Sequence, residues 1–111
     1  MVKGLGGCLF IYTPEEFKAV AETVREQSRR GETELDAART FFAGAEQFSP
    51  DKQGRVAIPG HLRDYAGLER DVVVAVVFSR IEIGDRRRWR ERDQRGDESL
   101  TESSYLPEFG I

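Results

Sequence analysis

The sequence predicts an α+β domain, and three observations carry that prediction. Short β-rich apolar runs (Leu9 to Tyr12, Asp71 to Phe78, Ile81 to Ile83) alternate with segments whose apolar residues recur at helical spacing. Residues suited to helix capping stand at the junctions between strand and helix. The order strand, cap, helix, aromatic also occurs twice: Leu9, Ile11, Thr13 and Phe17 match Ile81, Ile83, Asp85 and Trp89 in order and spacing. Such self-similarity marks two copies of one supersecondary unit.

Leu9 to Tyr12 is the first predicted strand. Thr13 follows as an N-cap, Pro14 fits the first helical position, and Glu16 is placed to close a capping box. Phe17, Val20, Ala21 and Val24 then fall at i, i+3, i+4 and i+7, the apolar stripe of an amphipathic helix that Gly31 ends. Thr33 and Asp36 mark a second helix start, with Leu35, Ala38 and Phe42 on one face ahead of Gly44. Both helices read as packing elements, since an aromatic such as Phe17 at helical spacing ordinarily belongs to a core.

The next segment, Asp51-Lys52-Gln53-Gly54-Arg55-Val56-Ala57-Ile58-Pro59, has the composition of a hairpin. Asp51 accepts local backbone bonds, and Gly54 supplies positive φ without strain. The alternation after Arg55 predicts a strand that Pro59 stops. Lys52, Gln53 and Arg55 then stand at the tip, pointing outward. Lys and Arg bind phosphates from such a position, Arg and Gln can pair with base edges, and a two-stranded ribbon fits a major groove. Taken alone, two cations on a turn are more often just a solvated tip.

His61 to Ala66 reads as a short helix closed by Gly67, with His61 on its surface. The Val-rich run Asp71 to Phe78 predicts a strand buried on both faces, and Ile81 to Ile83 a shorter alternating strand. Asp85 caps a last helix in which Trp89 faces inward. Arg86 to Arg95 is arginine-dense around that Trp. It is either a phosphate-tracking helix or a solvated one anchored by Trp89, and the charge-run rule favours the solvated reading. From Asp97 to Ile111 there are acids but no Lys or Arg, which predicts a disordered tail.

Bulk properties narrow the function classes. With 111 residues and 39% hydrophobic content the chain makes one small domain with a modest core. No run has the apolar length to span a bilayer, and the N-terminus lacks a charged-then-apolar signal pattern. One Cys, Cys8, makes no internal disulfide; it reads as a buried small hydrophobe and fits a reducing cytoplasm. One His and one Cys are too few for a metal cluster, and no nucleophile–base pair, phosphate loop or carboxylate pair suggests an enzyme. The net charge of −3 argues against an indiscriminate nucleic-acid binder. It still permits a reader whose positive charge is concentrated at the tip, the more so if several identical chains present tips together.

The stretch from Phe48 through Asp51-Lys52-Gln53-Gly54-Arg55, Pro59 and Tyr65 to Leu68 resembles the second repeat of the MraZ family, bacterial transcriptional regulators built from two AbrB-like (SpoVT-AbrB) hairpin modules. The resemblance continues through Val72 to Val77 and Ile81 to Trp89, and takes in Leu9 to Tyr12 with the helix after it. Gly84, where a bulkier residue is common, and the arginine density after it depart from the family pattern.

The resemblance implies a swapped-hairpin β-barrel fold in a two-repeat architecture with an incomplete first repeat. Residues 1–44 would be the remnant of that repeat, 45–95 the complete second one, and 96–111 the disordered acidic tail. It implies no enzyme activity and no cofactor. It implies a cytoplasmic, nucleoid-associated regulator, acting as a repressor on the division and cell-wall gene cluster to which it belongs. Its partners would be double-stranded DNA, at direct repeats in the promoter, and copies of itself in a ring-like homo-oligomer. Carried onto the motif, Arg55 reads a base edge, Lys52 and Gln53 add phosphate or base contacts, and Asp51 and Gly54 shape the turn. Arg63 is a further backbone-contact candidate, with pairing to Asp64 or a neighbouring chain as the alternative.

The first copy has no D-x-x-G-R hairpin of its own, and the offset of Asp85 from Thr13 places one about 20 residues ahead of Met1. In-frame translation of the DNA upstream checks that expectation. The competing reading is an AbrB-like antitoxin or other protein-interaction module, favoured by the acidic tail with Tyr105, Leu106 and Phe109. The two helices between residues 14 and 43 speak against it, and a neighbouring toxin gene rather than cell-wall genes would support it.

Overall fold

A computed structural model describes residues 1–102 of the chain. Its sheet has four antiparallel strands in the order β1-β2-β4-β3, formed by β1 (Val2–Lys3), β2 (Leu9–Ile11), β3 (Val72–Val77) and β4 (Arg80–Asp85). The helices are α1 (Pro14–Arg29), α2 (Leu35–Ala43), α3 (Gly60–Ala66) and α4 (Arg86–Glu102). The architecture is thus mixed α and β, with an open antiparallel sheet. Strand β1 was not among the predicted elements. It turns back onto β2 through Gly4-Leu5-Gly6-Gly7, in which Gly6 and Gly7 both take φ of 74°, so that Val2 pairs with Phe10.

The duplicated pattern has a geometric counterpart. Strands β2 and β4 pair as Leu9 with Ile83, Phe10 with Glu82 and Ile11 with Ile81. Because Leu9 matches Ile81 in the duplication and Ile11 matches Ile83, this register relates the two copies by a local two-fold through Phe10 and Glu82. The caps also agree. Thr13 Oγ1 accepts from the Glu16 N–H at 3.2 Å, and Asp85 Oδ2 accepts from the Arg88 N–H at 3.2 Å.

Each face of the sheet carries its own apolar cluster, as strand alternation requires. On one face Leu9 and Ile83 are buried with Met1, Leu62, Ala66 and Leu68, and Phe48, Val56 and Ile58 pack against them. On the other, Val2, Cys8 and Phe10 are buried beneath Tyr12, Phe17 and Phe41. Helix α1 places its stripe of Phe17, Val20, Ala21 and Val24 half-buried toward this second face. Phe17 stacks on Phe41 of α2 with ring centroids 6.1 Å apart.

Several expectations need correction. In α2, Leu35 and Phe42 are exposed; the packing side runs through Ala38 and Phe41, the latter about 100° around the helix from Phe42. Thr33 does not cap α2, because its hydroxyl is bonded to Gln27 and Glu34 occupies the cap position without a side-chain bond. Strand β3 is not buried on both faces. It is an edge strand, and Val74 and Val76, which share a face with Ile83 and Ile81, are 61% and 80% exposed because no element among the described residues covers that part of the sheet. Helix α4 extends through Glu102, so residues 96–102 of the expected disordered tail are helical; Tyr105, Leu106 and Phe109 lie outside the described residues.

Trp89 is half-buried rather than enclosed. It packs across Gly84, where a Cβ would meet Trp89 Cε3 at 3.5 Å and Cys8 Cβ at 3.7 Å. Trp89→Ala should therefore cost about 2 kcal/mol, roughly half the 3–5 kcal/mol of a fully buried aromatic. Urea unfolding of the two proteins measures it, and an unchanged midpoint would mean that Trp89 contributes no packing.

Candidate nucleic-acid interface

The turn at residues 51–55 is organised by one carboxylate. Gly54 N–H donates to the Asp51 carbonyl at 3.0 Å, and Asp51 N–H donates to the Arg55 carbonyl at 2.9 Å, closing a three-residue loop of Lys52, Gln53 and Gly54. Gly54 takes φ of 79°, the left-handed position such loops reserve for glycine. Asp51 Oδ1 accepts from the backbone N–H groups of Gln53 (2.9 Å) and Arg55 (2.8 Å). Its other oxygen, Oδ2, accepts from Arg55 Nε at 3.0 Å.

Asp51 thus shapes the loop and also fixes the guanidinium that follows it. Tied by Nε, Arg55 keeps its two terminal nitrogens without a partner among the described residues, and its side chain remains 75% exposed. Lys52 and Gln53 are exposed beside it. The expectation that these side chains gather at one outward tip therefore agrees with the geometry. Arg63 stands apart, exposed on α3, and forms no ion pair with Asp64 among the described residues.

The strand expected after the tip is not formed. Residues 56–58 carry no ladder pairing, because among the described residues no strand lies alongside them. Their alternation serves burial instead, with Val56 and Ile58 half-buried against the cluster of Leu9 and Leu62. Before the tip, Met1 and Glu46 exchange two backbone bonds of 2.8 and 2.9 Å, which dock this segment beside β1. After it, Leu62 and Ala66 of α3 are wholly buried, and Gly67 at φ of 62° closes the helix with bonds to its last carbonyls. The tip is therefore anchored at both ends. His61 lies on the surface of α3 as expected, its Nε2 3.2 Å from the Gly44 carbonyl oxygen.

The Arg55 N–H, helped by the Arg55 guanidinium and the Gln53 N–H, holds the Asp51 carboxyl below its ordinary pKa, against a smaller opposing effect of desolvation. A lowered carboxylate pKa means that the ordering contribution is complete above the ordinary value and is lost as pH falls through the lowered one. The Gln53 and Arg55 amide resonances should accordingly hold steady down to the ordinary carboxylate range and move only below it. A midpoint at or above the ordinary Asp value would contradict the bonding described.

A family model described as "MraZ protein, putative antitoxin-like" matches residues 41–104. A protein of Acetivibrio thermocellus named transcriptional regulator MraZ is 39% identical over 111 residues, all of this chain and 76% of that one. The chain belongs to the MraZ family. A Salinispora arenicola protein of the same name is 46% identical over 89 residues, 80% of this chain and 63% of its own. One from Heliobacterium modesticaldum is 40% identical over 100 residues, covering 90% and 70%. The chain thus spans under two thirds of the Salinispora relative that it matches.

Two contributions to the site escaped sequence reasoning. The bond that Arg55 Nε donates to Asp51 was one, although the i, i+4 spacing of an acid and an arginine across a glycine turn is a signal for it. The other was the role of Met1 and Glu46 in fixing the approach to the tip, for which the sequence carries no local sign.

Proposed function

We propose that the protein is a DNA-binding transcriptional regulator that reads promoter direct repeats with the Asp51–Arg55 tip. The observation that carries this reading is the braced arginine: Asp51 holds Nε while the terminal nitrogens of an exposed guanidinium stay unpaired among the described residues. A fixed arginine fork loses little freedom when it pairs with guanine O6 and N7. Arg55 is assigned the base edge, Lys52 and Gln53 phosphate or base contacts, and Arg63 a backbone contact. Relatives named transcriptional regulator support the class.

Copies of the chain would assemble into a ring-like oligomer, setting tips against successive repeats, and the swapped-hairpin arrangement would take residues 56–58 as a strand. The targets would be the division and cell-wall genes of its own cluster, under repression in the cytoplasm at the nucleoid. Among the described residues no helix is long and apolar enough to cross a membrane. Titrating the protein with duplex DNA from upstream of its own gene, against a scrambled duplex of equal length, tests the reading. Preference for the upstream DNA is expected, and equal affinity for both would defeat it. The antitoxin reading, favoured by the wording of the family model, would instead be supported by a toxin encoded next to it.

A further inference from the structure

The arginines at the start of α4 have a division of labour that the tip does not explain. Five of them lie between residues 86 and 92. Two serve the fold. Arg92 donates to the Gly6 carbonyl, and the Arg88 guanidinium lies against the Gly7 and Gly67 turns, where an added Cβ would sit 3.0 and 3.3 Å from it. Arg86, Arg87 and Arg90 do not share that work. They are exposed and form no ion pair among the described residues. At 3.6 residues per turn the three fall within an arc of about 100°, turned away from Trp89, Arg88 and Arg92.

The first turn itself gives no folding reason for this face. The first turn of α4 contains no acid, so its arginines oppose the helix macrodipole. Glu91 lies four residues after Arg87, the less favourable order for a helical ion pair. A chain of net charge −3 has concentrated cations here all the same, as arginines, whose planar forks match phosphate oxygens. Arg88 also shows where the face stands, because its guanidinium lies against Gly67, at the far end of α3 from the tip. Residues 56–59, at most about 14 Å when extended, and seven-residue α3, about 10 Å, separate the tip from Gly67, within the ~34 Å of one duplex turn.

We propose that Arg86, Arg87 and Arg90 form a second DNA contact, a face for the phosphate backbone beside the bases that the tip reads. The proposal rests on the DNA-binding reading of the tip and divides the work: the tip discriminates between sequences, and the α4 face contributes affinity without discrimination. Each arginine that neutralises a phosphate releases counterions, and the salt dependence of binding counts them.

The test measures affinity of the full chain for upstream and scrambled duplexes between about 50 and 200 mM salt. The R86Q/R87Q/R90Q variant should weaken both duplexes by the same factor. Its log–log salt slope should fall by about 0.9 for each phosphate no longer neutralised, roughly 2–3 for all three arginines. The charge-preserving R86K/R87K/R90K variant should keep most of the parent slope, and Arg55→Ala should lose discrimination with little change in slope. An unchanged slope in the glutamine variant overturns the proposal, even if Arg55→Ala abolishes specificity and so upholds the tip reading. A reduced slope in the glutamine variant beside an inert Arg55→Ala upholds the α4 face and defeats the tip. Smaller assemblies of the glutamine variant, with the salt slope intact, would assign these arginines to a contact between copies and overturn the proposal. Binding of neither duplex by the parent overturns both.

Discussion

Leu62→Ala is expected to cost about 3–5 kcal/mol of stability, the upper range for a leucine that leaves a cavity. Leu62 is 0% exposed and sits with Leu9, Ala66, Leu68 and Ile83 in the cluster between α3 and the sheet. The site has little freedom to collapse, because α3 is closed by Gly67 at one end and tied to Gly44 through His61 at the other. A domain of this size has roughly 5–15 kcal/mol in all, so the loss is a large share of it. The urea midpoint measures the effect, and Leu62→Met should recover most of it, since volume-conserving swaps cost under about 1.5 kcal/mol. A parent-like midpoint for Leu62→Ala would mean that α3 is not held by this cluster.

That cluster also illustrates which parts of the fold were legible. Elements announced by local chemistry were readable: Thr13 and Asp85 bond the backbone N–H three residues on, and Gly67 ends α3 in the left-handed conformation its position demands. Burial was less readable, because it depends on neighbours that are distant in sequence. The valines of β3 have the composition of an enclosed strand, yet β3 is an edge, and Val74 and Val76 point from a face that α3 covers only near Leu9 and Ile83. The local two-fold makes the asymmetry plain. Ile11 and Ile81 are the symmetry mates of Ile83 and Leu9, and they remain only half-buried. In α2 the hydrophobic residues outnumber the positions that face the sheet, so spacing alone selected Phe42 where the packing uses Phe41.

The site followed the same division. Asp51 and Gly54 could be assigned to the turn from residue type, since a short acid and a glycine have few other uses at that spacing. The outward exposure of Lys52, Gln53 and Arg55 came with the turn. The strand expected at residues 56–58 did not, because a ladder needs a second strand and alternation reports only which side is buried. The arginines of α4 were readable as a charge run, but their separation into Arg88 and Arg92 against the loops and Arg86, Arg87 and Arg90 in solvent needed the helix in place.

Arg55→Ala is expected to weaken binding to promoter repeats by roughly 5- to 150-fold, the equivalent of the 1–3 kcal/mol that one bidentate arginine–guanine contact is worth. Binding to a scrambled duplex should change far less, because phosphate contacts from other cations do not depend on sequence. Stability should not follow: Arg55 is 75% exposed, and its removal opens no cavity. The urea midpoint that collapses in Leu62→Ala should therefore stay near the parent value in Arg55→Ala. Arg55→Lys separates charge from shape, since an ammonium keeps the attraction to phosphate but has no planar fork to span O6 and N7. It should behave like Arg55→Ala on discrimination and like the parent on the scrambled duplex. Asp51→Asn adds the remaining step. An amide oxygen can still accept from a backbone N–H, but it no longer offers Arg55 Nε a charged partner, so the fork is freed while the loop is largely kept. If bracing is what prepares Arg55, Asp51→Asn loses discrimination in part, between the parent and Arg55→Ala. Parent-like discrimination in both Arg55 variants would remove the tip from recognition, and a fall in helicity with Arg55→Ala would make the residue structural.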